Sequence, residues 1–207
     1  MQITIDHSVQ NSIGLVRDQG LRPTCLACAS SDAHAARFDE WTPMSCEYLY
    51  YHAIQYIGGE PMDGATIPAI SHALKVRGQP YETEWPYMNP GPLNNDSWKP
   101  PSGIENVFKC QTANVKINSD SIKNQIVSGI LPIIAMMISD GFYSPVDNVI
   151  DTNEPYEDPR LHAVLAVGIG HANDKEYVQI RNSWGDQWGD QGYAWVSGDY
   201  LLSRRWV

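Results

Sequence analysis

"VRDQGLRPTCLACASSDAHAA", residues 16–36, runs from a proline-bearing loop into an alanine-rich helix and puts a cysteine at the junction. Pro23 is unfavourable inside a helix but welcome just before one, and Thr24 can act as N-cap, so Cys25 is expected at the first helical position. There the partial positive charge of the helix N-terminus lowers a thiol pKa and favours the thiolate, the form that attacks carbonyl carbon. A cysteine taken alone is most often a small buried residue, and Cys28, one turn on, reads that way.

What singles out Cys25 is its company. A thiol nucleophile needs an imidazole to take its proton and a third group to hold the imidazole in place. His162 opens the apolar run "HAVLAVGIG" and Asn182 lies in "RNSWGDQWGDQGY", so nucleophile, base and orienter follow one another along the chain. The other histidines, His7, His34, His52, His72 and His171, have no partner cysteine or carboxylate at metal-ligand spacing, so no metal and no cofactor is expected.

These segments resemble the papain-like cysteine peptidases, the family of papain and the cathepsins. A cysteine near the N-terminus with histidine and asparagine roughly 130–150 residues downstream is that family's spacing. "VRDQG" is similar to its segment before the nucleophile, "MSCEYLYY" to its second helix, and "DGATIPAISHAL" to the stretch that begins as a Gly-rich substrate-binding strand; "WPY" and the apolar run after Pro132 fall in order too. The resemblance implies Cys25 as nucleophile, His162 as general base and then acid, and Asn182 as the acceptor that orients the imidazole. It implies that Gln19 donates its side-chain amide to the developing oxyanion beside the backbone N–H of Cys25. Trp184 would cover the His162–Asn182 hydrogen bond and Trp188 would wall the leaving-group side, whereas Trp195 and Trp206 read as packing. Gly64 and Ala65 would pair with substrate backbone. Pro68, Met136, Ala163 and Leu201 would form an apolar pocket for the substrate's P2 side chain, with Leu161 just before the histidine.

The chain departs from the family around the nucleophile, where Arg22-Pro23-Thr24 replaces the usual Cys-Gly-Ser and Leu26 the tryptophan after it. Arg22 removes one half of a common disulfide, and no cysteine stands near residue 63 to supply the other. Pro23 replaces a glycine close to substrate, and Ala65 stands where a second glycine is frequent. Leu161 stands where the family often has Asp, Asn or Gly, and lacks the pH sensitivity an aspartate would add. The chain starts about where mature family members start, so restraint is expected from an adjoining domain, an inhibitory partner or narrow specificity.

Outward from these motifs, the first part reads helical, with helices at roughly 25–40, 45–57 and 66–77, then a Pro- and Asn-rich loop at 85–103 and a short helix at roughly 119–129. Asn95-Asp96-Ser97 fits the glycosylation pattern but is too short to carry weight. The second part reads as strands at 132–139, 162–170, 176–183 and 192–197, with a long loop at 140–160. The class is α+β. The resemblance makes 1–207 one papain-like domain of two lobes: a helical lobe at roughly 10–108, and a β-barrel-like lobe at roughly 109–207 with the N-terminal segment, the active-site cleft lying between them.

Length and composition agree with a soluble enzyme: 207 residues, 43% of them hydrophobic, can bury a core. A formal charge of −10 disfavours nucleic acid or an anionic membrane as partner, since either needs a clustered cationic face. The longest apolar run, "ILPIIAMMI" at 130–138, is too short to span a bilayer. The four cysteines, Cys25, Cys28, Cys46 and Cys110, are too sparse for a disulfide scaffold, and "MQITIDHSVQ" has no signal-peptide pattern, so a cytoplasmic location is expected, with delivery as an effector left open. The favoured function is a cysteine endopeptidase acting on a protein or peptide substrate. The alternatives are acyl transfer to protein side chains, as in a deamidase or transglutaminase, and a binding module without turnover.

Overall fold

The computed structural model describes residues 1–115, 118–151 and 160–204. The chain divides into two compact units, one formed by Gln19–Asn114 and the other by Met1–Asp18 together with Val115–Val207.

The first of these is helical, with α1 (Cys25–Ala35), α2 (Cys46–Ile57) and α3 (Ile67–Val76) packed on one another. In α2 the residues Cys46, Leu49, Tyr50, Ala53 and Ile54 recur at helical spacing and all are buried, which is the apolar stripe that seats a helix on its neighbours. Capping fixes the helix starts. Ser45 Oγ accepts from the Tyr48 N–H at 3.1 Å and donates to Trp85 O at 2.7 Å, and Thr66 Oγ1 accepts from the Ala69 N–H at 3.3 Å with Pro68 in the first turn. Helix α1 stops at Ala35, short of the expected 40, because Asp39 and Glu40 would oppose the dipole at a helix C-terminus, and Phe38 turns back to pack edge-on against Phe108. The loop at 85–103 has no helix or strand, as its prolines suggest, but it is pinned by two buried indoles, Trp85 and Trp98.

The other unit is built on a six-stranded sheet: β1 (Thr4–Ser8), β2 (Ile133–Ile138), β3 (Val149–Ile150), β4 (Arg160–Ala172), β5 (Lys175–Arg181) and β6 (Tyr193–Ser197). The order is β1-β4-β5-β6-β3, with β2 also on β4; all pairings are antiparallel except β3 with β6. The described strands form an open mixed sheet, not the closed barrel that "barrel-like" suggests. Residues 162–170 of β4 are buried without interruption, so both faces are covered and the run reads apolar throughout instead of alternating. Its glycines serve a close approach: a Cβ on Gly168 would sit 2.8 Å from His7 O, and one on Gly170 2.6 Å from Thr4 O, both in β1.

Helix α4 (Ser119–Val127) packs on β4, and α6 (Gly198–Arg204) on β2, β5 and β6. Strand β1 was absent from the sequence reading because "TIDHS" is polar and exposed, and it is held to β4 by backbone pairing. The expected loop at 140–160 contains a four-residue helix α5 (Asp140–Tyr143) and the short β3; its 152–159 part, like Trp206, lies outside the described residues. No described helix is long and apolar enough to cross a membrane.

Candidate active site

His162 is the third residue of β4 and pairs directly with Met136 of β2. Its Nε2 lies 2.7 Å from Asn182 Oδ1. Asn182 follows the end of β5, its backbone N–H donating to Gly192 O at 3.0 Å. The amide orientation is fixed independently, because the Ser183 N–H donates to the same Asn182 atom at 2.8 Å, which must therefore be the carbonyl oxygen. Nε2 consequently carries the proton, and Nδ1 is the lone-pair nitrogen of the neutral ring. Asn182 Nδ2 is buried and has no hydrogen-bond partner among the described residues, a cost of turning the oxygen to the imidazole. Burial pushes the His162 pKa down to about 4, against the opposing pull of the Asn182 hydrogen bond.

Aromatic rings surround the pair. The Trp184 ring centroid lies 4.6 Å from the imidazole, and Phe142 meets the imidazole edge-on at 5.6 Å. Tyr143 stacks on Trp184 at 5.1 Å, and the Trp188 indole N–H donates to Phe142 O at 3.0 Å. Tyr143, Ser144, Pro145, Trp184 and Trp188 line a shallow hollow. The turn bearing Trp184 is tied to the N-terminal segment by an antiparallel bridge to Asp18 and by Gly185 N–H donating to Arg17 O at 3.0 Å. Strand alternation puts Met136 on the face of His162, and Leu161 and Ala163, which pair with Met137 and Ala135, on the other. Leu161 is exposed; Ala163 and Leu201 are buried, and Met136 exposes nothing, so Met136 shapes any pocket only from behind.

In the helical unit Cys25 is the first residue of α1 and half-buried, and none of the four cysteines is in a disulfide. Thr24 occupies the N-cap position but its side chain does not cap. Its hydroxyl instead meets Tyr87 Oη at 2.7 Å, and since that phenol donates to Gln19 O at 2.9 Å, Thr24 is the donor in the pair. Burial raises the Tyr87 pKa, so the phenol stays protonated. Gln19 is buried, its Nε2 donating to Arg22 O at 2.7 Å. Gly64 has φ +76 and faces Pro23, a Cβ built on it reaching the proline Cβ at 3.6 Å. Gly64 and Ala65 are half-buried in a loop without strand pairing, and Pro68 is exposed.

Sequence reasoning noticed Arg22 only as a departure. It forms a buried bidentate pair with Glu47, Nη1 to Oε2 at 2.6 Å and Nη2 to Oε1 at 2.9 Å. Burial pulls the guanidinium pKa down and Glu47 more than reverses this, leaving it raised. The available signal was Glu47 itself, an acid within the apolar "MSCEYLYY", where a buried carboxylate requires a partner. Phe142 and Tyr143 had no signal, being hidden in a segment read as loop. Among the described residues no three His, Cys, Asp or Glu side chains cluster as metal ligands.

Residues 3–201 match the model of the family described as papain family cysteine protease. This chain belongs to the papain family. Its curated relatives include pro-cathepsin H of Mus musculus, 28% identical over 133 residues, which are 63% of this chain and 39% of that protein. Peptidase 1 of Dermatophagoides pteronyssinus is 25% identical over 203 residues, 96% of this chain and 62% of that protein. The papain-family chain thus spans between about two fifths and three fifths of the length of these first relatives. Among solved structures, xylellain, a cysteine protease from Xylella fastidiosa, superposes with a TM-score of 0.72 at 23% identity, covering 91% of this chain and 78% of that one. Procathepsin L 3 of Tenebrio molitor larval midgut gives 0.74 at 20% identity, covering 94% and 64%. These likenesses establish the papain-like α+β fold.

Proposed function

We propose that this papain-family chain is an endopeptidase in which Cys25 attacks the scissile carbonyl and His162 moves the protons. The observation that carries the reading is the His162 tautomer: with the proton on Nε2 held by Asn182, Nδ1 is the basic nitrogen. Nδ1 takes the thiol proton, and the sulfur adds to the carbonyl carbon while the carbonyl oxygen becomes an oxyanion. The imidazolium then protonates the departing amine, the C–N bond breaks and a thioester remains. Water, giving its proton to the same nitrogen, releases the acid and restores the thiol. The Gln19 amide and the Cys25 N–H serve the oxyanion, one such donor contributing about 2.7–4 kcal/mol to the transition state. Trp184 and Phe142 exclude water from the His162–Asn182 bond.

An apolar P2 side chain is part of the proposal, resting on the apolar character of Pro68, Ala163 and Leu201; Met136, fully buried on the opposite face of the sheet from Ala163, does not line that surface. So is residence in a reducing compartment such as a cytoplasm, with all four cysteines outside disulfides. Restraint by an adjoining pro-segment fits two structural neighbours, procathepsin L 3 and the ragweed allergen Amb a 11, both of them proforms.

The test is labelling of Cys25 by a peptidyl epoxide or chloromethyl ketone at neutral pH under reducing conditions, together with mass spectrometry of a treated peptide library. Labelling lost in Cys25→Ala and new termini after apolar P2 residues support the reading. An unlabelled protein opposes it, and a mass change of one amide without cleavage replaces hydrolysis of the chain by deamidation.

A further inference from the structure

We propose that the buried Arg22–Glu47 pair positions Gln19, locking the orientation of its side-chain amide, so that Arg22 governs turnover without touching substrate. This rests on the reading above, in which Gln19 serves the oxyanion. The guanidinium has one place to be. It is 3% exposed, doubly bonded to Glu47, and donates again from Nη1 to Met88 O at 2.9 Å. Both Glu47 oxygens are held in turn, Oε1 by the Trp98 indole N–H at 2.7 Å and Oε2 by the Met88 N–H at 3.0 Å. The rings of Tyr87, Tyr50 and Trp98 stand 5.0, 5.3 and 5.8 Å from the guanidinium carbon. Gly91 closes the remaining side, where a Cβ would sit 2.3 Å from Arg22 Nε.

What this cage fixes is the backbone of Arg22. Its carbonyl oxygen accepts from Gln19 Nε2 at 2.7 Å and from the Thr24 N–H at 2.8 Å, which joins the amide to the residue before Cys25. A primary amide carries two hydrogens on one planar nitrogen, so committing one to Arg22 O sets the direction of the other. The pair is neutral as a unit and contributes little field of its own, so the effect runs through geometry. A buried ion pair also adds little net stability over apolar replacements, which leaves conformational definition as its contribution.

The experiment uses the full chain with Arg22→Lys, which keeps the buried charge and loses the fork, and with Arg22→Met/Glu47→Met, which removes both charges, each alone and combined with Gln19→Ala. Three quantities are compared: kcat and KM on an amide substrate, the rate of Cys25 alkylation by iodoacetamide, and the NMR shifts of the Gln19 side-chain amide protons. Alkylation displaces iodide at sulfur and builds no oxyanion. We expect kcat to fall about 10- to 100-fold, with KM and the alkylation rate changed less than about threefold, and no further fall in the Gln19→Ala background. The separation of the two Gln19 amide proton shifts should collapse. Equal losses in both backgrounds, a parallel fall in alkylation, or unchanged Gln19 shifts overturns the proposal; failure of both variants to fold assigns the pair to stability and overturns it too. A native protein that neither labels nor cleaves, yet shows the shift change, defeats the peptidase reading and leaves the positioning intact.

Discussion

A buried imidazole stays neutral unless something negative shares its burial. His162 is 5% exposed, and burial, only partly opposed by the Asn182 hydrogen bond, holds its pKa at about 4, from an ordinary value of 6.5. The ion-pair state of the proposed mechanism therefore depends on the thiolate, whose charge offsets the desolvation of the imidazolium. Cys25→Ala removes the thiolate and keeps both the burial and the Asn182 hydrogen bond: in that variant the His162 ring should titrate at about 4 by NMR. Because this folded value lies below the unfolded one, the unfolded chain binds more protons in acid. The His162 contribution to stability is intact above about 6.5, is lost as pH falls toward about 4, and amounts to on the order of 3 kcal/mol. Urea midpoints of Cys25→Ala across that range measure it, and a ring titrating at its ordinary value would refute burial as the cause.

At the level of elements, two glycines that follow helices separate backbone strain from crowding. Gly58, after α2, has φ +68 and open space around its Cβ position, whereas Gly78, after α3, has φ +77 and would put a Cβ 2.6 Å from Phe108 O. Gly58→Ala should cost about 1 kcal/mol for the left-handed conformation alone. Gly78→Ala should cost on the order of 2–4 kcal/mol, since it also breaks the paired backbone of Gln79 and Phe108; equal losses in urea melts would contradict this.

The same scale explains what was legible in the sequence. Helices α2 and α3 were readable to within a residue at each end because their apolar spacing and caps agree, and β4 because a strand covered on both faces is apolar throughout. Cys25, His162 and Asn182 stood out because each sits at the end of an element with a strong pattern. Strand β1 could not be read, since backbone pairing has no side-chain signature, nor could α5, whose Phe142 reaches His162 from a segment rich in turn residues. Glu47 within its apolar run announced that a partner was needed, but which residues supply the Arg22–Glu47 cage could not be read, because its members are spread from Arg22 to Trp98.

For the molecule as a whole, the two units differ in how far apart in sequence their partners lie. In Gln19–Asn114 the helices are consecutive and their contacts are near in sequence; in the sheet unit Val9 N–H must find Val167 O. Loop closure slows distant pairings, so refolding followed by pulsed hydrogen exchange should protect the Leu49 and Ile70 amides before that of Val9. Simultaneous protection would mean that the units condense as one.

The discontinuity of the sheet unit bears on synthesis. Met1–Asp18 is made well before its partners, because the strand β4 and the Trp184 turn follow only after the whole of Gln19–Asn114. Strand β1 therefore stays an unpaired edge while the intervening residues are synthesised, the kind of segment that recruits chaperones or wrong neighbours. A ribosome stalled anywhere before β4 leaves it with nothing to pair with, so the rate of elongation becomes one of the conditions under which this fold is reached.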